Sequence, residues 1–112
     1  MENANNQTTS RFQWKGDGER LVVRIQPIDV SCDGILSALI DTVLILVERK
    51  NTRIVEFDVV DHAMLASYVF AQMLRLRKQL NEVQIQISNA SPHIIRQLEA
   101  TKLDTLIHIL RE

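Results

Sequence analysis

Asp61, His62 and Ser67 lie close together in one polar stretch of the chain. A carboxylate, an imidazole and a hydroxyl are the parts of a nucleophilic relay, in which a base activates the hydroxyl and the acid orients the base. The glycines of a strand–turn–helix nucleophile elbow are absent around Ser67, and any polar loop can offer such a trio, so the spacing assigns no catalysis. Glu56, Asp58 and Asp61 cluster at one strand end. Paired carboxylates can do acid–base work, but no nucleophile motif accompanies them, and a solvated strand terminus accounts for them better. The histidines His62, His93 and His108 have no ligand spacing among themselves or with Cys32, so no metal is expected. Cys32 is the only cysteine, which rules out an intrachain disulfide. It reads as a small buried hydrophobe or as a thiol near a helix start. With only Gly16, Gly18 and Gly34 there is no phosphate-binding glycine loop, and no cofactor is implied.

These groups are placed by the stretch from Ile54 to Phe70, which reads as a buried strand, a polar loop and the start of a long helix. Backbone N–H groups at a helix start are unpaired and carry partial positive charge, so a strand feeding a helix is a natural place for a working site. Ser67 stands at that junction. Its oxygen reads as a helix N-cap, a role worth about 1 kcal/mol.

Around this centre the pattern predicts β-β-α-β-α-β-α and a short apolar end. Arg11–Lys15 and Leu21–Ile25 alternate as strands, joined by turn chemistry at Gly16-Asp17-Gly18, and should pair as an antiparallel hairpin. Pro27 cannot donate to a ladder and is expected to end the second strand. Ser31 or Asp33 can cap a helix in which Leu36, Leu39, Ile40, Val43, Leu46 and Val47 recur at helical spacing. Ile35, Leu44 and Ile45 widen that face until the helix is apolar nearly all round, which implies cover by a partner or a second copy, or burial within its own domain. Ile54–Val60 is the next strand. Ser67–Leu80 is a helix with Val69, Met73, Leu76 and Leu80 on its core face and Phe70 beside them. Val83–Ile87 is a strictly alternating strand. Ser91-Pro92 is a helix start, with serine as cap and proline at the first helical position. Leu103–Leu110 reads as a short strand or a helical turn. Strands alternating with helices argue for parallel pairing through right-handed crossovers. The fold class is therefore α/β: a small mixed sheet with helices packed against it and an N-terminal antiparallel hairpin.

The bulk properties bound the function. One domain over residues 11–112, after a disordered polar tail at 1–10, suits a chain of 112 residues. The tail has no apolar core of the kind a signal peptide needs. Thirteen Lys plus Arg against 14 Asp plus Glu give a net charge of -1, which removes the basic excess that nucleic acid would want. The most apolar run, Ile35–Val47, is too short to span a bilayer and contains Asp41, so no membrane insertion is expected and the protein reads as cytoplasmic.

From Asn51 to Leu110 the chain resembles a STAS domain, the fold of bacterial anti-sigma-factor antagonists. In that family a strand ends in a pattern close to D-L-S-x-V-x-x-I-D-S-S-G-L, followed by an apolar helix. Laid without gaps, Asp58 matches the first aspartate, Leu65 the isoleucine, Ala66 the second aspartate and Ser67 the first serine. Tyr68, Val69 and Phe70 stand for the second serine, the glycine and the leucine. Downstream, Ser88–Asp104 resembles the family's late helix and its ending, with Lys102 where glycine is usual. The resemblance implies a non-catalytic protein-binding module in bacterial regulation and transcription control. Its partner would be an anti-sigma factor or related kinase, and Ser67 would be the phosphoacceptor whose modification breaks docking. It also admits a constitutive subunit of a stress-sensing scaffold or an ABC-type lipid transport assembly, with no phospho-switch. The residues expected to touch the partner are His62, Met64, Ala66, Ser67, Tyr68 and Val69. The loop Ile28–Asp33 should share their sheet end, and a homodimer fits the apolar first helix.

Overall fold

The computed structural model describes residues 13–111. The expected tail at 1–10, Arg11 and Phe12 of the first strand, and the end of the domain at 112 lie outside the described residues. Five strands form one sheet in the order β1-β2-β3-β4-β5. They are β1 (Gln13–Asp17), β2 (Arg20–Arg24), β3 (Ile54–Asp58), β4 (Gln84–Ser88) and β5 (His108–Ile109). β1 pairs antiparallel with β2, and every other pair is parallel. Three helices make the crossovers: α1 (Asp33–Lys50), α2 (Ser67–Gln79) and α3 (Pro92–Ala100). Right-handed crossovers stepping in one direction along a sheet put all their helices on one face. The burial agrees, because Leu21, Val23, Val55, Phe57, Ile85, Ile87 and Ile109 share one core with Leu36, Ile40, Val43, Val69, Met73, Leu76, Ile94 and Leu98. The opposite face is polar, and Arg20 there bonds Glu56 at 2.7 Å and Gln86 at 2.8 Å.

Several boundaries differ from the sequence expectation for identifiable reasons. Gly16 belongs to β1 opposite Leu21, and the turn is Gly18-Glu19 alone. Gly18 has φ +60°, the value a type II′ hairpin loop needs at its first position. A 3-10 turn at Pro27–Val30 follows β2, with Pro27 at its first position. The Asp29 carboxylate accepts the Gln26 N–H at 2.8 Å and is 3% exposed. α1 is capped neither by Ser31 nor by Asp33. Ser31 donates its hydroxyl to the Ile28 carbonyl, Cys32 occupies the cap position, and Asp33 is the first helical residue. Asn51 ends α1 in the left-handed region at φ 57°, with Arg49 and Lys50 in the last turn where the helix dipole favours cations. β3 stops at Asp58 rather than Val60 because the Asp58 carboxylate turns back onto the Val60 N–H at 3.0 Å, taking the chain out of the ladder.

Ser91 caps α3 as expected, accepting from the Ile94 N–H at 3.1 Å. The end of the chain holds both alternatives: a 3-10 turn at Leu103–Thr105 and then β5. Lys102, where the resemblance places a glycine, adopts φ 62°, a left-handed value that glycine reaches without strain. Of the residues that widen α1, Leu44 is half-buried, while Ile35 and Ile45 are exposed. No helix among the described residues is long and apolar enough to cross a membrane.

Candidate functional site

Because β2, β3 and β4 run parallel, the segments that follow them emerge at one end of the sheet. In α/β proteins this carboxyl end of the strands is the usual place for recognition. The segments are Ile25–Cys32, Val59–Ala66 and Asn89–Ser91. Side-chain-to-backbone hydrogen bonds tie the first two together. The His62 ring, through Nε2, meets the Ile25 carbonyl at 2.8 Å. A carbonyl only accepts, so Nε2 carries the proton. The Tyr68 hydroxyl donates to the Val30 carbonyl. The Ile28–Asp33 loop thus sits beside the start of α2.

The third segment and α3 hold the middle loop from the other side. Gln97 uses both ends of its amide on one residue, with Leu65 N–H donating to Oε1 at 3.1 Å and Nε2 donating to the Leu65 carbonyl at 2.8 Å. The Ser91 hydroxyl donates to the Ala63 carbonyl at 2.6 Å while its oxygen caps α3. Asn89, at φ 58°, donates to the Asp58 carboxylate at 3.0 Å. Sequence reading missed Gln97 and Asn89 here, and it saw Ser91 as a helix cap without its bond to Ala63. Gln97 was detectable as a polar residue three after Ile94 and next to Leu98, on the apolar side of α3.

The six residues expected to touch a partner separate by exposure. Met64 is 57% exposed, and Ala66 and Ser67 are exposed as well. His62 and Tyr68 are half-buried, with their polar tips committed to backbone carbonyls. Val69 is 1% exposed and packs in the core, so its place in that set is corrected: the first turn of α2 points it at the sheet. Ser67 is also not the cap of α2. Ala66 holds the cap position, no side chain caps the helix, and Ser67 is the first helical residue with its side chain outward. Two apolar side chains join the exposed group, Ile28 at 53% and Val60 at 49%.

The relay drawn from Asp61, His62 and Ser67 is not assembled. The Asp61 carboxylate grips Arg24 in a two-oxygen pair at 3.2–3.3 Å, and the His62 proton faces Ile25. Ser67 stands apart on the helix. The Asp61 hydrogen bond and charge raise the Arg24 pKa above its ordinary value, with Asp58 adding to the attraction. Glu56 points to the polar sheet face, onto Arg20. Burial raises the Asp29 carboxyl above the usual range, against the opposing effects of the Gln26 N–H and nearby His62. Among the described residues no group of three His, Cys, Asp or Glu side chains could hold a metal ion.

No protein-family model matches this chain, and no curated protein matches it in sequence. Solved structures do match in shape. A candidate anti-sigma factor antagonist from Thermotoga maritima superposes with a TM-score of 0.70 at 13% identity, covering 91% of this chain and 87% of that one. The anti-sigma factor antagonist SpoIIAA in its unphosphorylated form superposes with a TM-score of 0.63 at 14% identity, covering 90% and 89%. At such identities the likeness is one of fold. Together with the single-faced β-α progression and the leading hairpin, it establishes that the chain has the STAS-like fold of anti-sigma factor antagonists.

Proposed function

We propose that this protein is a non-catalytic, cytoplasmic protein-binding module. It presents the carboxyl end of its sheet to a regulatory partner such as an anti-sigma kinase, and Ser67 is the phosphoacceptor. One observation carries the reading: an exposed serine at the first position of α2 lies on the same sheet end as the exposed apolar side chains Ile28, Val60 and Met64. Apolar side chains left in water on two loops that hydrogen bonds hold in place suit a preformed docking face. A phosphate on Ser67 would add roughly two negative charges at the positive end of a helix dipole. α2 accepts that charge, while a partner seated on the neighbouring apolar groups has to desolvate it.

The second reading is a constitutive adaptor in a larger complex, with no switch. Ala66 favours it, because the carboxylate that the family motif places beside the serine is missing. A pull-down from native lysate, using the unmodified protein and Ser67→Asp with phosphosite mapping of the recovered bait, separates the two. Loss of a kinase-like partner with Ser67→Asp, together with phosphate on Ser67, supports the switch. Equal capture by both forms and an unmodified Ser67 support the adaptor.

A further inference from the structure

The carboxyl end of the sheet is short of charge. The chain as a whole is 24% charged. The segments that build this end, Ile25–Cys32, Val59–Ala66 and Asn89–Ser91, together with the first turn of α2, hold no lysine or arginine and only two carboxylates, Asp29 and Asp61. At the chain's average they would hold more than twice as many charges. Neither carboxylate is free. Asp29 is 3% exposed and accepts the Gln26 N–H. Asp61 is held by Arg24 through both oxygens at 3.2–3.3 Å. The carboxylates at the margin are engaged too, Asp33 with Gln72 and Asp58 with Asn89 and the Val60 N–H. The polar tips of His62 and Tyr68 are committed to backbone carbonyls. What remains for a partner is apolar, namely Ile28, Val60 and Met64, with the exposed Ser67 at the same sheet end.

We infer, resting on the docking role proposed above, that the partner surface fitted to this face is apolar and uncharged, and that charge of either sign at Ser67 breaks docking by desolvation rather than by repulsion. A charged partner group set against these residues leaves water and meets no free opposite charge, so the cost of burying it is not offset. A partner built of apolar groups covers Ile28, Val60 and Met64 without that cost. A switch by repulsion needs a negative partner group facing the serine. In the unmodified complex such a group would have no cation to meet here, because Arg24 is already committed to Asp61, and only the partial charge at the start of α2 remains. A phosphate on Ser67 therefore acts as a charge that docking would strip of water, with no opposing charge needed. A positive charge at the same place meets the same obstacle. Salt screens charges that face each other across water and does little for a charge that has to be dehydrated.

Calorimetric titration with the protein recovered by the unmodified chain in the pull-down above, once purified, tests the switch. Four variants at one position separate charge from bulk: Ser67→Asp against Ser67→Asn, and Ser67→Lys against Ser67→Met. Each charged variant is expected to bind about tenfold or more weakly than its uncharged counterpart. Raising sodium chloride from about 0.1 to 1 M shortens the range of screened charges from about 10 to 3 Å. It should weaken the parent less than about threefold and should not restore Ser67→Asp. Far-UV circular dichroism checks that each variant is folded. A second measurement needs no partner: relaxation of the Ile28, Val60, Met64 and Ser67 amides by a cationic and by an anionic nitroxide should agree within about twofold, because an uncharged surface attracts neither. Ser67→Lys binding as well as Ser67→Met or better, or Ser67→Asp restored by salt, overturns the desolvation switch and leaves the docking role standing. Relaxation that differs several-fold between the two nitroxides overturns the uncharged face. Ser67→Asp binding as Ser67→Asn does overturns any switch at this serine, and failure to recover a partner overturns the docking role itself.

Discussion

Gln97→Leu removes the amide that holds Leu65 and keeps a side chain of similar size. Leu65 is 3% exposed, so the N–H and carbonyl released by the substitution lie where water reaches them poorly. A buried backbone group without a partner costs about 1–3 kcal/mol. Two such groups set the loss at about 2–6 kcal/mol, and the extra apolar surface of a half-buried leucine returns at most about 1. The expected net loss is therefore about 1–6 kcal/mol, a large share of the roughly 5–15 kcal/mol that a domain has in total. Urea unfolding reads it as a lower midpoint with an unchanged slope. Hydrogen exchange should show Leu65 amide protection falling more than that of the β3 and β4 amides. A loss under about 0.5 kcal/mol with Leu65 protection intact would refute the reasoning. Gln97→Glu is the companion test. A glutamate keeps an acceptor for the Leu65 N–H but sets a carboxylate against the Leu65 carbonyl, so its folded-state pKa rises above the unfolded value. The native state then holds a proton that the unfolded state has released, and stability falls as pH rises through that window. The gap between Gln97→Glu and the parent should narrow on acidification.

Three further outcomes are expected. Ser91→Ala loses both the α3 cap and the bond to the Ala63 carbonyl and should cost about 1–2 kcal/mol in urea unfolding. Asp29 has a folded pKa raised by burial, so its own contribution to stability declines as pH rises from the unfolded value through the folded one. Asp29→Asn retains an acceptor for Gln26 and should lack that decline, becoming the more stable protein at neutral pH in melts compared across the pH range. Lys102→Gly relieves a left-handed backbone and should raise stability by roughly 0.5–1 kcal/mol, read as a higher thermal midpoint.

Much of the architecture was legible because the periodicities were clean. Gln84-Ile85-Gln86-Ile87 alternates in sequence, although Gln86 is buried too beneath Arg20, and Ser91-Pro92 starts α3 as its chemistry requires. The parallel order followed from strands alternating with helices. Boundaries slipped where a side chain takes over a backbone bond. Asp58 ends β3 early by binding Val60, and Ser31 is drawn to Ile28 rather than to α1. The candidate site was readable in position but not in detail. Motif alignment put Ser67 at the loop–helix junction, yet one residue of offset decides whether a serine caps a helix or points outward from its first turn. The bonds that set His62 and Tyr68 onto Ile25 and Val30 join residues 37 and 38 apart in the chain, as Gln97 and Leu65 are joined across 32, and no local pattern carries such pairings.

The central claim is that the exposed groups at the carboxyl end of the sheet form a protein-docking face. The most direct measurement is quantitative recovery of the lysate partner by Ile28→Glu, Val60→Glu and Met64→Glu, with Leu106→Glu as the control on a different surface. Each position is exposed, so the variants should fold, and thermal melting verifies it. The account predicts that each of the first three cuts partner recovery about tenfold or more while Leu106→Glu binds like the parent. Undiminished recovery with all three would contradict it and place the partner on another face of the molecule.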